Sequence, residues 1–151
     1  MYLTKQIIYG KHAINQLPIV VKQRHIKHVC MIYSASAMND FQQQQLNVAL
    51  KNNDIETTFY RMPKGEPTTD FLASCLQLVI TSGCDGAVAI GGGSAIDLGK
   101  AVAALALNKE VPLNELAQMP SIKRLPFIAV PTTAGTGSEA TKVTVIIDSA
   151  K

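Results

Sequence analysis

The sequence predicts an α/β fold, a Rossmann-like open and mostly parallel sheet with helices on both faces. Two observations carry this. Short, continuously apolar runs alternate with longer stretches of helical character, and unbroken apolarity means that both faces of a strand are covered. Two loops rich in glycine and hydroxyls also follow apolar runs directly, at the carboxyl ends where open α/β sheets bind ligands.

The elements follow in order. Ile7-Ile8-Tyr9 is expected to add an edge strand, and Ala13 to Gln23 a helix. Val29 to Tyr33 reads as a buried strand. Phe41 to Asn52 reads as a helix that Asn52-Asn53-Asp54 ends. Ile55 to Tyr60 is rich in β-branched and aromatic residues and forms the next strand. The breakers in Pro63-Lys64-Gly65-Glu66-Pro67 make a loop. Thr68-Thr69-Asp70 starts a helix through Ile80 that Ser82-Gly83 closes. Gly86 to Ile90 is a third core strand, and Ser94 opens a helix to about Asn108. A connection from Lys109 to Pro126 leads to a strand at Phe127 to Val130. After the loop Pro131 to Glu139, Val143 to Ile147 is expected as another strand.

Composition bounds the function. A chain of 151 residues supports one good core, so a single domain over 1–151 is expected. With 47% hydrophobic residues and a net charge of +3 it is no disordered chain. No apolar run reaches the roughly 18 residues of a membrane span, and the opening Met1 to Gln6 does not read as a secretory signal. Cys30, Cys75 and Cys84 read as free thiols of a reducing cytoplasm. The densest basic group, Lys22, Arg24 and Lys27 with His25 and His28, lacks the clustered charge and interleaved aromatics of a nucleic-acid surface. Its histidines have no neighbouring Cys, Asp or Glu to complete a metal site. Neither nucleic acid nor membrane is expected as a partner.

The chemistry lies in the two loops. In Gly91-Gly92-Gly93-Ser94-Ala95-Ile96-Asp97-Leu98-Gly99-Lys100, three glycines strip side chains from a strand-to-helix turn. Bare N–H groups at a helix N-terminus suit a phosphate. The loop is not a Walker A, because Ser94 stands at its first Gly and Ala101 follows Lys100. It is not G-x-G-x-x-G either, because Ile96 takes the last glycine position. The plainer alternative is a tight turn in which Ser94 and Asp97 form a variant capping box. The second loop, Pro131 to Thr141, contains Gly135, Gly137 and Ala140 at G-x-G-x-x-A spacing, but apolar, strand-like residues follow where a helix is required. What remains is a set of hydroxyls, Thr132, Thr133, Thr136 and Ser138, able to donate to a phosphate-bearing ligand.

Gly91 to Lys100 resembles the GGGSxxDxxK signature of the iron-dependent (group III) alcohol dehydrogenases. Pro126 to Thr141 resembles that family's PxIAxPTTAGTGSExT almost without change. Weaker echoes are Gly10, Leu17-Pro18, Gly65-Glu66-Pro67 and Cys84-Asp85. The resemblance spans the chain but only the N-terminal half of a family member. It implies an NAD- or NADP-binding domain, with the helical metal-binding domain absent from these residues.

Gly91, Gly92, Gly93 and Ser94 would then form the phosphate loop, with Gly92, Gly93 and Ser94 on the pyrophosphate. Thr132, Thr133 and Thr136 would line the adenine and nicotinamide sides, with Ser138 beside them. Asp97 would sit near the nicotinamide end, and Glu66 would make a polar contact. The family's divalent metal, iron above all, would belong to the complete enzyme, which acts on a small alcohol or aldehyde. His12, His25 and His28 all precede the first loop, so no catalytic or metal-ligating residue is expected here, and the chain alone is expected to be inactive. Many NAD-preferring members carry an acid where Ser34 stands, so the neutral Ser34-Ala35-Ser36 implies tolerance of NADP. Two readings remain: the cofactor half of a metal-dependent alcohol dehydrogenase, or a stand-alone nucleotide-binding or assembly module. A homodimer is left open.

Overall fold

The structure, a computed structural model, describes residues 6–111, 115, 118–119, 121–141 and 143–150. The opening Met1 to Lys5, parts of the Lys109 to Pro126 connection, Lys142 and Lys151 lie outside the described residues.

Four parallel strands form one sheet: β1 (His28–Ser34), β2 (Glu56–Met62), β3 (Gly86–Gly91) and β4 (Phe127–Pro131), in the order β2-β1-β3-β4. The helices are α1 (Leu17–Gln23), α2 (Asp40–Lys51), α3 (Thr69–Ser82) and α4 (Gly93–Leu105). Strand β1 explains why the apolar runs are unbroken. Its Cys30 and Ile32 face a cluster with Leu72, Cys75 and Val79 of α3 and Leu98 and Val102 of α4. Its Val29, Met31 and Tyr33 face the opposite cluster, with Leu17 and Val21 of α1 and Leu50 of α2. Each face of the sheet thus carries its own core, as a doubly covered parallel sheet requires.

The polar ends of the helices also follow from sequence. Asn39 Oδ1 accepts the Gln42 N–H at 2.9 Å and Gln42 Oε1 accepts the Asn39 N–H at 3.0 Å, a capping box that starts α2. Thr68 Oγ1 accepts the Phe71 N–H at 3.3 Å at the start of α3, and Gly83 at φ 69° ends that helix. Asn108 ends the stretch after α4 by donating to the carbonyls of Ala104 and Lys123, both at 2.6 Å.

Three expectations are corrected. Among the described residues Ile7-Ile8-Tyr9 pairs with no strand, Ile7 and Tyr9 are exposed, and β2 and β4 form the sheet's edges. The helix expected over Ala13 to Gln23 divides into a 3₁₀ turn, Ala13–Gln16, and α1. Pro18 in the first turn of α1 has no N–H, and its ring blocks a continuous ladder back to Ile14. Val143 to Ile147 is no strand: it makes one parallel bridge, Thr68 to Ile147, while the Val143 carbonyl and the Val145 N–H go to side chains of α4.

Chain order reverses between β1 and β3. The path runs from β1 outward to β2, then crosses back to place β3 on the other side of β1. This is the switch point whose carboxyl-end crevice binds ligands in open α/β sheets. Ser34 and Gly91 stand at that crevice.

Candidate functional site

Gly91 turns the chain out of β3 at φ +155°, a conformation that side chains rarely adopt. A Cβ there would lie 2.8 Å from Ala95 Cβ and 3.0 Å from Ser34 Oγ. Its carbonyl accepts the Thr132 N–H at 2.9 Å, which ties the start of the second loop to the first. Gly92 is the N-cap of α4, and no side chain caps that helix. The N–H groups of its first turn are therefore left for a ligand or water. The variant capping box from Ser94 and Asp97 is not formed, because the helix already begins at Gly93.

The second loop closes over the first. A Cβ at Gly92 would stand 3.1 Å from Thr133 Oγ1, and one at Gly93 would stand 3.2 Å from Ser138 Oγ and 3.5 Å from Thr136 Cβ. Any side chain at these two positions would fill the space between the loops. Ser94 Oγ donates to Glu66 Oε2 at 3.1 Å, bringing the loop after β2 to the same rim. Glu66, Gly91, Gly92, Gly93, Ser94, Thr132, Thr133, Thr136 and Ser138 thus converge, although they come from three separate loops.

Asp97 lies deeper, 8% exposed. Its Oδ2 accepts the Val145 N–H at 3.1 Å, and its backbone carbonyl accepts the Thr144 hydroxyl at 2.6 Å. Lys100 Nζ stands 2.9 Å from Asp97 Oδ1 as an ion pair, and Oδ1 receives no hydrogen bond from a described group. Asp97 therefore has both carboxylate oxygens engaged within the domain.

A cavity of about 470 Å³ opens beside the loops. Met38, Gln42, Leu46, Ile90, Val130 and Thr132 are among its lining residues. Ile90 and Val130 read from sequence only as strand residues and Leu46 only as a helix residue, since nothing in a β-strand pattern marks its last residue as a cavity wall. A hollow of about 460 Å³ on the outer side of α2, between Phe41 and Asn52, touches none of the site residues.

Among the described residues no group of three or more His, Cys, Asp or Glu is placed to hold a metal ion. His28 Nε2 is spent on Thr58 Oγ1 at 2.8 Å, and the three cysteines are buried and free. The Cys30 thiol is pushed far up by its hydrogen bond with Cys75 and by burial, and that of Cys84 by its hydrogen bond with Cys30 and by burial. Both stay protonated at neutral pH and are core residues rather than nucleophiles. No described helix is long and apolar enough to cross a membrane.

The switch-point crevice, glycine turn and uncapped helix start define an open α/β domain of the kind whose crevices receive phosphate-bearing ligands. The family model for iron-containing alcohol dehydrogenase matches residues 4–151, and the chain belongs to that family. It is 43% identical over 141 residues to the probable alcohol dehydrogenase EutG of Escherichia coli (strain K12), a match over 92% of this chain and 35% of that protein. It is 33% identical over 152 residues to the sulfoacetaldehyde reductase of Bilophila wadsworthia, covering 97% of this chain and 38% of that one. The chain therefore spans little more than a third of the length of these relatives.

Among solved structures, the iron-containing alcohol dehydrogenase from Thermococcus thioreducens superposes with a TM-score of 0.84 at 26% identity, over 98% of this chain and 41% of that chain. The sulfoacetaldehyde reductase from Bifidobacterium kashiwanohense, solved in complex with NAD+, gives 0.82 at 27% identity, over 96% and 39%. The resemblance and the fold class read from sequence are both borne out.

Proposed function

We propose that this chain is the NAD- or NADP-binding part of a metal-dependent alcohol dehydrogenase that interconverts a small primary alcohol and its aldehyde. The observation that carries this reading is the closure of Thr133, Thr136 and Ser138 over Gly92 and Gly93 at an uncapped helix start. Gly91 makes the turn, and Gly92, Gly93 and Ser94 receive the pyrophosphate. Thr132, Thr133, Thr136 and Ser138 offer hydroxyls to the two nucleoside sides, and Glu66 orients Ser94. The cavity beside Thr132 is roomy enough for one nucleoside, and a relative at 27% identity was solved with NAD+. The bound cofactor supplies hydride chemistry; the chain binds and orients it. Titration of this chain with NADH, followed by nicotinamide fluorescence and by competition with ADP-ribose, tests the reading. A lack of saturable binding overturns it.

The neutral end of β1 extends the proposal to NADP. Ser34 Oγ stands 3.3 Å from Ser36 Oγ, and both hydroxyls can donate to a 2′-phosphate. The nearest acid, Asp40, is exposed at the start of α2. NADP(H) is expected to bind within about tenfold of NAD(H), a gap below about 1.4 kcal/mol. Tighter binding of NAD(H) by more than that in parallel titrations contradicts it.

The described residues do not offer the ligand set that the family's metal requires. The chain alone is expected to bind cofactor and oxidise no alcohol, since alcohol polarisation by a Lewis acid needs convergent ligands. The second reading is a nucleotide-binding or assembly module without catalysis. NAD(P)H formation is assayed with short primary alcohols and diols, with Fe²⁺ or Zn²⁺ under anaerobic conditions. Metal-dependent turnover by the intact, homogeneous chain refutes the expectation. A cytoplasmic location completes the proposal, supported by the three buried free thiols.

A further inference from the structure

Lys100 is the last residue of the glycine-loop motif and lies on α4. The ammonium donates to the Ser138 carbonyl at 3.0 Å, to Thr141 Oγ1 at 3.4 Å and to the Val143 carbonyl, and it pairs with Asp97 Oδ1 at 2.9 Å. An ammonium has three protons, so four oxygens leave none for a ligand. The side chain is 14% exposed, and all its partners lie within the domain. Asp97, one helical turn earlier, holds the Val145 N–H and the Thr144 hydroxyl.

We propose that Lys100 and Asp97 are positioning residues, a clasp on α4 that fixes the second loop over Gly93 without touching the cofactor. The proposal rests on the nucleotide reading of the site for its effect on binding. Ser138 is the link. Its carbonyl is held by Lys100, and its hydroxyl is the atom nearest the Cβ position of Gly93. The hydroxyls that face the first loop are thereby set by charges on the flank of α4, away from the uncapped N-terminus. Val143, Val145 and Ile147 can then face outward, because the clasp replaces a strand ladder as their anchor.

Two variants test the clasp. Lys100→Met removes the ammonium but leaves Asp97 buried and unpaired, which can unfold the domain. Asp97→Asn/Lys100→Met removes both charges and keeps an acceptor for the Val145 N–H. Without nucleotide, amide exchange over 136–147 is expected to accelerate at least about tenfold in both variants, with β1 and β3 unchanged. With NADH, the dissociation constant is expected to rise about tenfold while its dependence on ionic strength stays that of wild type, because no phosphate-neutralising charge is lost. Unchanged loop exchange, wild-type affinity in the double variant, or a flattened salt dependence overturns the clasp. The exchange arm is read without ligand, so failure of wild type to bind NADH would fault the nucleotide reading while the clasp is still decided.

Discussion

Gly92→Val is expected to weaken NADH binding at least about 100-fold, or about 2.7 kcal/mol, while leaving the domain folded. Valine puts no strain on the backbone at this position. The structure assigns the strain to Gly91, whereas Gly92 has φ −81° and ψ −169°, extended backbone open to any residue. The block at Gly92 comes from space. Its Cβ position lies 3.1 Å from Thr133 Oγ1, so two further methyl groups would occupy the gap that the proposed pyrophosphate enters. Thr133 is exposed on a loop and can give way, which preserves the fold. Fluorescence titration of wild type and variant with NADH decides the matter, and equal affinities would sink it.

Gly99 is expected to show the largest stability effect. It lies where α4 crosses the sheet, and a Cβ there would lie 2.7 Å from Phe127 Cε2 and 2.8 Å from Ala89 Cβ. The Phe127 ring can rotate slightly, but Ala89 Cβ is fixed to the backbone of β3, with strands on both sides. Overpacking costs about 1–3 kcal/mol, and alanine returns about 1 kcal/mol of helix propensity. Gly99→Ala should therefore destabilise by about 2 kcal/mol at the upper end of that overpacking range. Gly99→Val, larger and β-branched, should exceed about 3 kcal/mol, a fall in Tm of about 6–12 °C for a domain of this size. Urea denaturation with an unchanged m-value measures it. A Gly99→Ala variant as stable as wild type would show that α4 can lift from the sheet without cost.

Much of this was legible in the sequence, for local reasons. Buried parallel strands are apolar throughout, so β1 and β3 were found from composition alone. Thr68 marks a helix start through its bond to Phe71, three positions on. The two loops were found because glycine and hydroxyl clusters at strand ends have few purely structural uses.

What could not be read depends on distant partners. A β-branched run such as Val143 to Ile147 looks the same whether it joins a ladder or is strapped to a helix by Asp97 and Lys100. Ile7-Ile8-Tyr9 has strand composition, yet it pairs with neither edge strand, β2 nor β4. Ser94 and Asp97 have capping-box spacing, and only the start of α4 at Gly93 shows that the pair is not one. The role of Lys100 was hidden because Ser138 lies 38 residues away.

Strand β4 hangs on the sheet by one side only, paired to β3, and it carries the second loop. Detaching an edge strand is among the least costly partial openings of a parallel sheet, because only one ladder is broken. A nucleotide seated as proposed touches both Gly92–Gly93 and Thr133–Thr136, so it fastens that edge to the part of the sheet laid down earlier in the chain. At a concentration 100 times its dissociation constant, a ligand adds about 2.7 kcal/mol to the closed form. Cofactor supply would then govern how readily proteases open this domain as well as what it can bind, because one of the two margins held by a single ladder is the one that the cofactor closes.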